Sequence, residues 1–310
     1  MEKIPVLAVV GPTASGKTAL SVELAKHFGG EIVSADSMQI YKGMDIASAK
    51  PTEAEKQGIK HHMMDFLPAT SSYSVADYVK AASACIFEIH ERNRLPILVG
   101  GTGLYVDSLL TNTQFIAADT DYALRQRLED EFDAHGGEKM LEKLSAFDRE
   151  TAARLHPNNR KRIIRAFEIY TLTGKTMTEA LASSREQPSP FTPVFLGLAY
   201  DNREILYDRI NRRVDKMLQN GLLDEARAFF EGTPDTAAQA IGYKELKPYL
   251  DGVLPLSQAV ENLKRATRNY AKRQITWFKR NPQIHWIYAD MCTSEQLLEK
   301  AIAIAERQTV

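Results

Sequence analysis

The stretch GPTASGKT, Gly11 to Thr18, fits the pattern G-x-x-x-x-G-K-[ST], and it lies between an apolar run and a run that opens a helix. Residues of these types in this order build a cradle for phosphate. Backbone N–H groups of Gly11, Pro12's neighbour Thr13, Ala14, Ser15 and Gly16, with the start of the helix, hold phosphate oxygens. Lys17 supplies a point charge, and the Thr18 hydroxyl is placed to meet Mg²⁺. Such parts recognise a diphosphate of any kind and do not specify a nucleoside. A nucleotide hydrolase adds an acid at the end of an apolar strand to hold the metal. The corresponding run, PILVGGTGLY from Pro96, passes into Gly100-Gly101 with no carboxylate. The acid that stands out is Asp36, in SADSMQ, at the carboxyl end of the apolar run Ile32 to Ala35, the edge where ligands bind in open α/β sheets. There it is a candidate general base, a Mg²⁺ ligand or a helix cap, and its position alone does not choose.

The elements that must position these residues follow from hydrophobic patterning. Val6–Val10, Ile32–Ala35 and Ile97–Val99 read as strands, Lys17–Phe28 and Val75–Glu91 as helices, and alternation of this kind predicts a parallel sheet with helical crossovers. From about Asp119 to Ser183 the period becomes helical, ending in the Pro-rich EQPSPFTP. VFLGLAY from Val194 reads as a strand returning to the sheet, followed by helices from Arg203, Glu245, Leu256 and Ser294 and a last strand in IHWIY. The expected class is α/β, a phosphate-loop parallel sheet flanked by helices (residues 1–116 and 193–310), interrupted by an all-helical insertion (residues 117–192).

The 310 residues are 44% hydrophobic and 25% charged, with no apolar run near the roughly 18 residues of a membrane helix. No secretory leader is recognisable in MEKIPVLAVVGPT, so a cytoplasmic protein with no membrane partner is expected. Cys85 and Cys292 stand far apart with no Cys or His at metal spacing, and His61-His62 lack further ligands and read as loop residues. A net charge of -1 hides local clusters. RKRIIR, Arg160 to Arg165, carries four cations in six residues, and residues 261–280 carry seven cations against one acid, with Tyr270, Trp277 and Phe278 interleaved. On residue types alone these are solvated helix faces with mostly core aromatics; a nucleic-acid surface is the competing reading. GGTGLY and the TGKT of Thr173 to Thr176 lack the glycines of a dinucleotide or phosphate fingerprint.

Seven segments in order resemble one family, the tRNA dimethylallyltransferases. They are GPTASGKT (11–18), SADSMQIYKGMDIASAKP (34–51), LVGGTGLY (98–105), RLHPNNRKRIIRAFEIYTLTGKTMTE (154–179), REILYDRINRRVDKML (203–218), QAIGYKEL (239–246) and ATRNYAKRQITWF (266–278). The resemblance implies a transferase moving a dimethylallyl group from its diphosphate to N6 of the adenosine just 3′ of the anticodon in tRNA, with Mg²⁺. It implies that Asp36 accepts the amine proton, and that Lys17 and Arg213 stabilise the departing pyrophosphate. Arg209 and Arg212, at helical spacing from Arg213, read instead as solvent-facing or paired with Asp208 and Asp215. It further places tRNA contacts, with the anticodon stem-loop, on Asp36, Ser37, Met38, Gln39, Thr102, Arg125, Lys161, Arg162, Ile163, Ile164, Arg165, Gln239, Ala240, Ile241, Gly242, Tyr243 and Lys244. In the 160–165 stretch the cations meet phosphates while the two isoleucines face the core. A monomer is expected. The competing functions are a prenyltransferase for free adenine nucleotides, which needs no basic insertion, a small-molecule kinase using the loop for ATP, and a non-enzymatic RNA-binding ATPase.

Overall fold

The computed structural model describes residues 3–115, 121–184, 186–232 and 240–309. Two compact units are present, residues 1–110 with 189–310, and residues 111–188. In the first, the chain runs β1 (Ile4–Val10), α1 (Lys17–Phe28), β2 (Glu31–Ser34), α2 (Glu53–Lys56), β3 (His61–His62), α3 (Val75–Glu91), β4 (Pro96–Gly100) and α4 (Gly103–Leu110). The second unit consists of α5 (Tyr122–Ser145), α6 (Arg149–Arg154), α7 (Arg160–Thr173) and α8 (Met177–Ser183). The first unit then resumes with β5 (Phe191–Ala199), α9 (Arg203–Gln219), α10 (Leu222–Gly232), α11 (Tyr243–Leu250), α12 (Leu256–Phe278), β6 (His285–Tyr288) and α13 (Ser294–Thr309).

The six strands form one parallel sheet in the order β3-β2-β4-β1-β5-β6. Its central strand β1 is apolar throughout because both faces are covered. Val6, Ala8 and Val10 pack on one face with Tyr78, Ile86, Ile89 and Val106 of α3 and α4. Leu7 and Val9 pack on the other with Leu20, Leu24 and Ala301 of α1 and α13. This period of two is what the sequence pattern called for. A third cluster, built on Met44, Leu222, Tyr243 and Leu263, joins α10, α11 and α12 to the segment after β2.

Two differences from the sequence reading have physical causes. His61-His62 is not loop but the edge strand β3, too short for an alternation to register, and His62 pairs with Val33. β5 begins at Phe191, three residues before the expected Val194, and contains Pro193. Proline is tolerated there because β5 pairs with β1 from Phe191 to Gly197 but with β6 only from Leu196 onward, so Pro193 needs no donor on that side.

Glu31 opens β2 at 7% exposure, where its carboxylate accepts from Arg92 (2.8 Å) and meets the His62 ring (2.6 Å). Burial pushes its pKa up, but the bonds and charges of Arg92 and His62 outweigh burial and hold it below the ordinary value. The stabilisation is therefore present above the usual carboxylate range and lost as pH falls through the depressed value. Glu31→Gln is expected to cost about 1 kcal/mol at neutral pH. The gap between the two proteins should close toward about pH 2, which urea titrations at both pH values read directly.

In the second unit α5 is broken at Gly136, where the backbone is non-helical. Asp148 ties α6 to α8, accepting from the Thr151 amide (3.0 Å) and from the Thr178 hydroxyl (2.7 Å). Leu124 and Leu128 of α5 pack against Ile164 of α7, with Phe132 and Phe167 beside them.

Candidate active site

The cradle is where β1 stops. Gly11 takes φ 145°, and a Cβ there would lie 2.6 Å from the Leu198 carbonyl oxygen of β5, so the loop can leave the sheet only through a residue without a side chain. Ala14 and Gly16 are also left-handed, and Gly16 caps α1 with no side-chain bond, leaving the first N–H groups of that helix to an external anion. Ser15 is 3% exposed and its hydroxyl has no hydrogen-bond partner among the described residues. Lys17 donates to the Pro12 carbonyl of its own loop (2.6 Å). The Thr13 amide is committed elsewhere, donating to Gln274 Oε1 at 2.8 Å, so it does not join the cradle's donors. Outside the cradle, Arg209 Nε donates to the Ala14 carbonyl (3.0 Å) and packs over Tyr200. Arg209 thus braces the loop while remaining exposed, as expected. Arg212 pairs with Asp208, while Asp215 takes Lys264 (2.8 Å).

Lys17, Thr18, Asp36 and Arg213 line a single cleft, with Gln39, Tyr270 and Gln274 on its walls. Arg213 comes from α9, whose buried stripe Leu206, Ile210 and Val214 faces inward. Desolvation lowers the Lys17 ammonium to about 7, helped by the Arg213 charge and opposed by Asp36. The Asp36 carboxyl moves up, again by desolvation, against the pull of the Met38 amide, Lys17 and Arg213. Arg213 is itself lowered by burial and supported by Asp36. Two cations and one acid, each half-buried, thus share one cleft with mutually perturbed ionisation, as groups at functional sites often do. Asp36 Oδ1 also accepts from the Met38 amide (2.9 Å), a local turn bond that fixes the carboxylate.

Among the described residues no group of three or more His, Cys, Asp or Glu converges, so a protein cage for a metal is lacking. Mg²⁺ ordinarily takes one or two protein oxygens and fills the rest from phosphate and water. The exposed Thr18 hydroxyl at the first turn of α1, beside the unpartnered Ser15 hydroxyl, fits that sparse donor set.

On the far wall, the Ser37 amide donates to Thr102 Oγ1 (3.1 Å). The Gln39 amide is used internally, accepting from Ser34 Oγ (2.9 Å) and donating to the carbonyls of Ser48 and Ala49. Glu225 of α10 accepts three successive backbone N–H groups, of Asp45, Ile46 and Ala47 (2.7–2.9 Å), and the Tyr243 hydroxyl (2.8 Å). In the 239–244 segment Gln239 lies outside the described residues. Ala240 and Tyr243 are buried, so their side chains offer no surface to a polymer, contrary to the expectation for them; Ile241 is half-buried and Lys244 exposed. Gly242 has φ 114°.

Within the helical unit the two isoleucines of the basic stretch face the core, as expected. Ile163 and Ile164 are 0% and 2% exposed and contribute core, not contact. Arg125 and Arg165 both engage the buried Glu168, at 2.8 and 3.1 Å. Lys161 and Arg162 are exposed and form the outward cationic edge of α7. Missed by the sequence reading were Gln274, Tyr270, Arg209 and Glu225. Tyr270 and Gln274, four residues apart on α12, share a helix face, and that spacing of polar groups inside an otherwise cationic run was the available signal.

A phosphate-loop motif at the edge of a parallel sheet flanked by helices, with Asp36 in the same cleft, defines a phosphate-loop α/β protein. A sequence profile of the IPP transferase family matches residues 39–281. The chain is 50% identical over 92% of its length to a tRNA dimethylallyltransferase of Halalkalibacterium halodurans, of which 91% is covered. It is 45% identical over 97% of its length to the one from Bacillus subtilis, of which 96% is covered. Among solved structures it resembles a full-length tRNA isopentenylpyrophosphate transferase from Bacillus halodurans, with TM-score 0.74, 43% identity and coverage of 100% and 98%. It also resembles a eukaryotic dimethylallyltransferase acting on tRNA, with TM-score 0.84, 30% identity and coverage of 98% of this chain and 79% of that one. The chain belongs to the IPP transferase family.

Proposed function

We propose that this chain transfers a dimethylallyl group from dimethylallyl diphosphate to N6 of the adenosine 3′-adjacent to the anticodon in tRNA, releasing pyrophosphate. The observation that carries the reading is that Lys17 of the cradle, Asp36 and Arg213 share one cleft. The N6 amine attacks C1 of the dimethylallyl group, the C1–O bond breaks, and its electron pair leaves with pyrophosphate. The proton from N6 passes to Asp36, whose carboxyl burial makes a stronger base while Lys17 and Arg213 favour its ionised form. Charge developing on the leaving group falls on Lys17, Arg213 and the first N–H groups of α1. Mg²⁺, held by Thr18 and the diphosphate, would add further charge neutralisation. The base must leave its stack to reach an enclosed carboxylate.

The test supplies radiolabelled dimethylallyl diphosphate with unmodified tRNA, with AMP, or with ATP alone. Label in tRNA supports the reading. Label in AMP but not in tRNA makes the chain a free-nucleotide prenyltransferase, and phosphate transfer from ATP without prenyl transfer makes it a kinase. A separate expectation concerns the exposed cations of α7. Replacing Lys161 and Arg162 by glutamine should weaken tRNA binding and reduce the slope of log affinity against log salt by about 1 per lost phosphate contact. Donor affinity should not move, and unchanged tRNA binding would return this edge to an ordinary solvated helix face.

A further inference from the structure

The cradle and Asp36 sit on loops that leave β1 and β2, the two strands that flank β4, and the strand pairing stops before reaching them. β1 and β4 pair up to Val10 and Gly100, and β2 and β4 up to Ser34 and Val99. Beyond those pairs, Gln274 of α12 stands between the cradle and the loop after β4 at 5% exposure. Its Oε1 accepts the Thr13 amide of the cradle (2.8 Å), and its Nε2 donates to the Gly101 carbonyl after β4 (3.0 Å). One carboxamide thus does what a strand residue's peptide group does, accepting from one side and donating to the other.

The Gly101 end leads on to Asp36. Thr102 donates its amide to the Ala35 carbonyl (3.1 Å) and accepts the Ser37 amide on its hydroxyl (3.1 Å), so both neighbours of Asp36 hang on Thr102. Tyr270, one turn before Gln274 on α12, lines the same cleft. The fit at Gly101 is close, since a Cβ there would lie 2.0 Å from Gln274 Nε2. The glycine in GGTG is explained by the amide that occupies its place, not by a nucleotide.

We infer that Gln274 is a positioning residue that sets the gap between the phosphate cradle and Asp36, by extending the β1–β4 ladder with its side-chain amide. The inference rests on the proposed prenyl transfer, in which leaving group and proton acceptor act on the two ends of one reaction. A misplacement of about 1 Å can cost about 10² in rate.

The experiment compares Gln274→Leu and Gln274→Glu with wild type. Leucine removes both bonds at similar volume; glutamate keeps the acceptor for Thr13 and sets an oxygen against the Gly101 carbonyl. In single-turnover reactions with tRNA, the leucine variant is expected to lose about 10² in rate and the glutamate variant about 10-fold. KM for dimethylallyl diphosphate should stay within about threefold in both, because the cradle's own donors are intact. Hydrogen exchange at the Thr13 amide reads the bridge without any transfer assay: it should accelerate in the leucine variant and stay slow in the glutamate variant, with β1 unchanged in both. Unaltered exchange at Thr13, or rates within threefold of wild type, would overturn the inference. A raised donor KM with unchanged rate would also overturn it, reducing Gln274 to part of the cradle. Wild-type protein that transfers no prenyl group would instead overturn the functional reading, with the exchange result still deciding whether the bridge exists.

Discussion

Asp36→Ala is expected to lower kcat for prenyl transfer by ~10² or more, with the KM for dimethylallyl diphosphate little changed, the loss typical of a missing general base. Asp36 is placed for this role by two features. It follows the last paired residues of β2 at the ligand-binding edge of the sheet, and its turn bond to the Met38 amide fixes the carboxylate over the cleft. Burial raises its pKa, which suits a group that must take a proton from a weakly basic amine. Asp36→Asn distinguishes the roles further, since it preserves size and the acceptor for Met38 but cannot take the proton. It should be as slow as the alanine variant. If donor affinity falls in parallel with kcat in either variant, Asp36 is a metal ligand and the proton goes elsewhere.

Arg213→Gln is expected to cost on the order of 10²–10³ in kcat, as removal of one stabiliser of developing negative charge does in other enzymes. The guanidinium lies in the cleft with Lys17 and Asp36 and is lowered by burial, so its charge acts in a poorly screened setting. Arg213→Lys should recover only part of the rate, because an ammonium on a flexible stem does not reproduce the fork. Arg212→Gln is the internal control. That side chain is 70% exposed and paired with Asp208 one turn away, so its loss should leave kcat within about threefold. Equal losses at Arg212 and Arg213 would show that the helix acts through its net charge rather than through one positioned group.

The difference between these two arginines was only partly legible in the chain. At about 100° per residue, Arg209 and Arg213 lie on one flank of the Leu206, Ile210, Val214 stripe and Arg212 on the opposite side. The pattern therefore limits which residues can share a face. What it leaves open is which flank meets the cradle, and that is settled by packing of Leu206 and Ile210 against Ala271 and Ile275 of α12. The same holds for α7. Its sequence predicted cations outward and isoleucines inward, and the isoleucines are indeed core, yet it could not show that Arg165 would be drawn to Glu168 alongside Arg125 of α5.

What the chain by itself determined was whatever depends on neighbours in sequence: the phosphate cradle, the parallel sheet, the helical insertion and the acid at the end of β2. A turn, an N-terminal helix cap and a period of two are local properties, fixed by φ preferences and alternation within a few residues. The tertiary structure alone decided the rest. It recruited Gln274 across 261 residues to the Thr13 amide and 173 to the Gly101 carbonyl, and set Glu225 against the backbone of residues 45–47. It also made a strand of His61-His62. Such partners are chosen by the need to satisfy buried N–H and C=O groups where two elements meet, and no spacing in one dimension records which elements will meet.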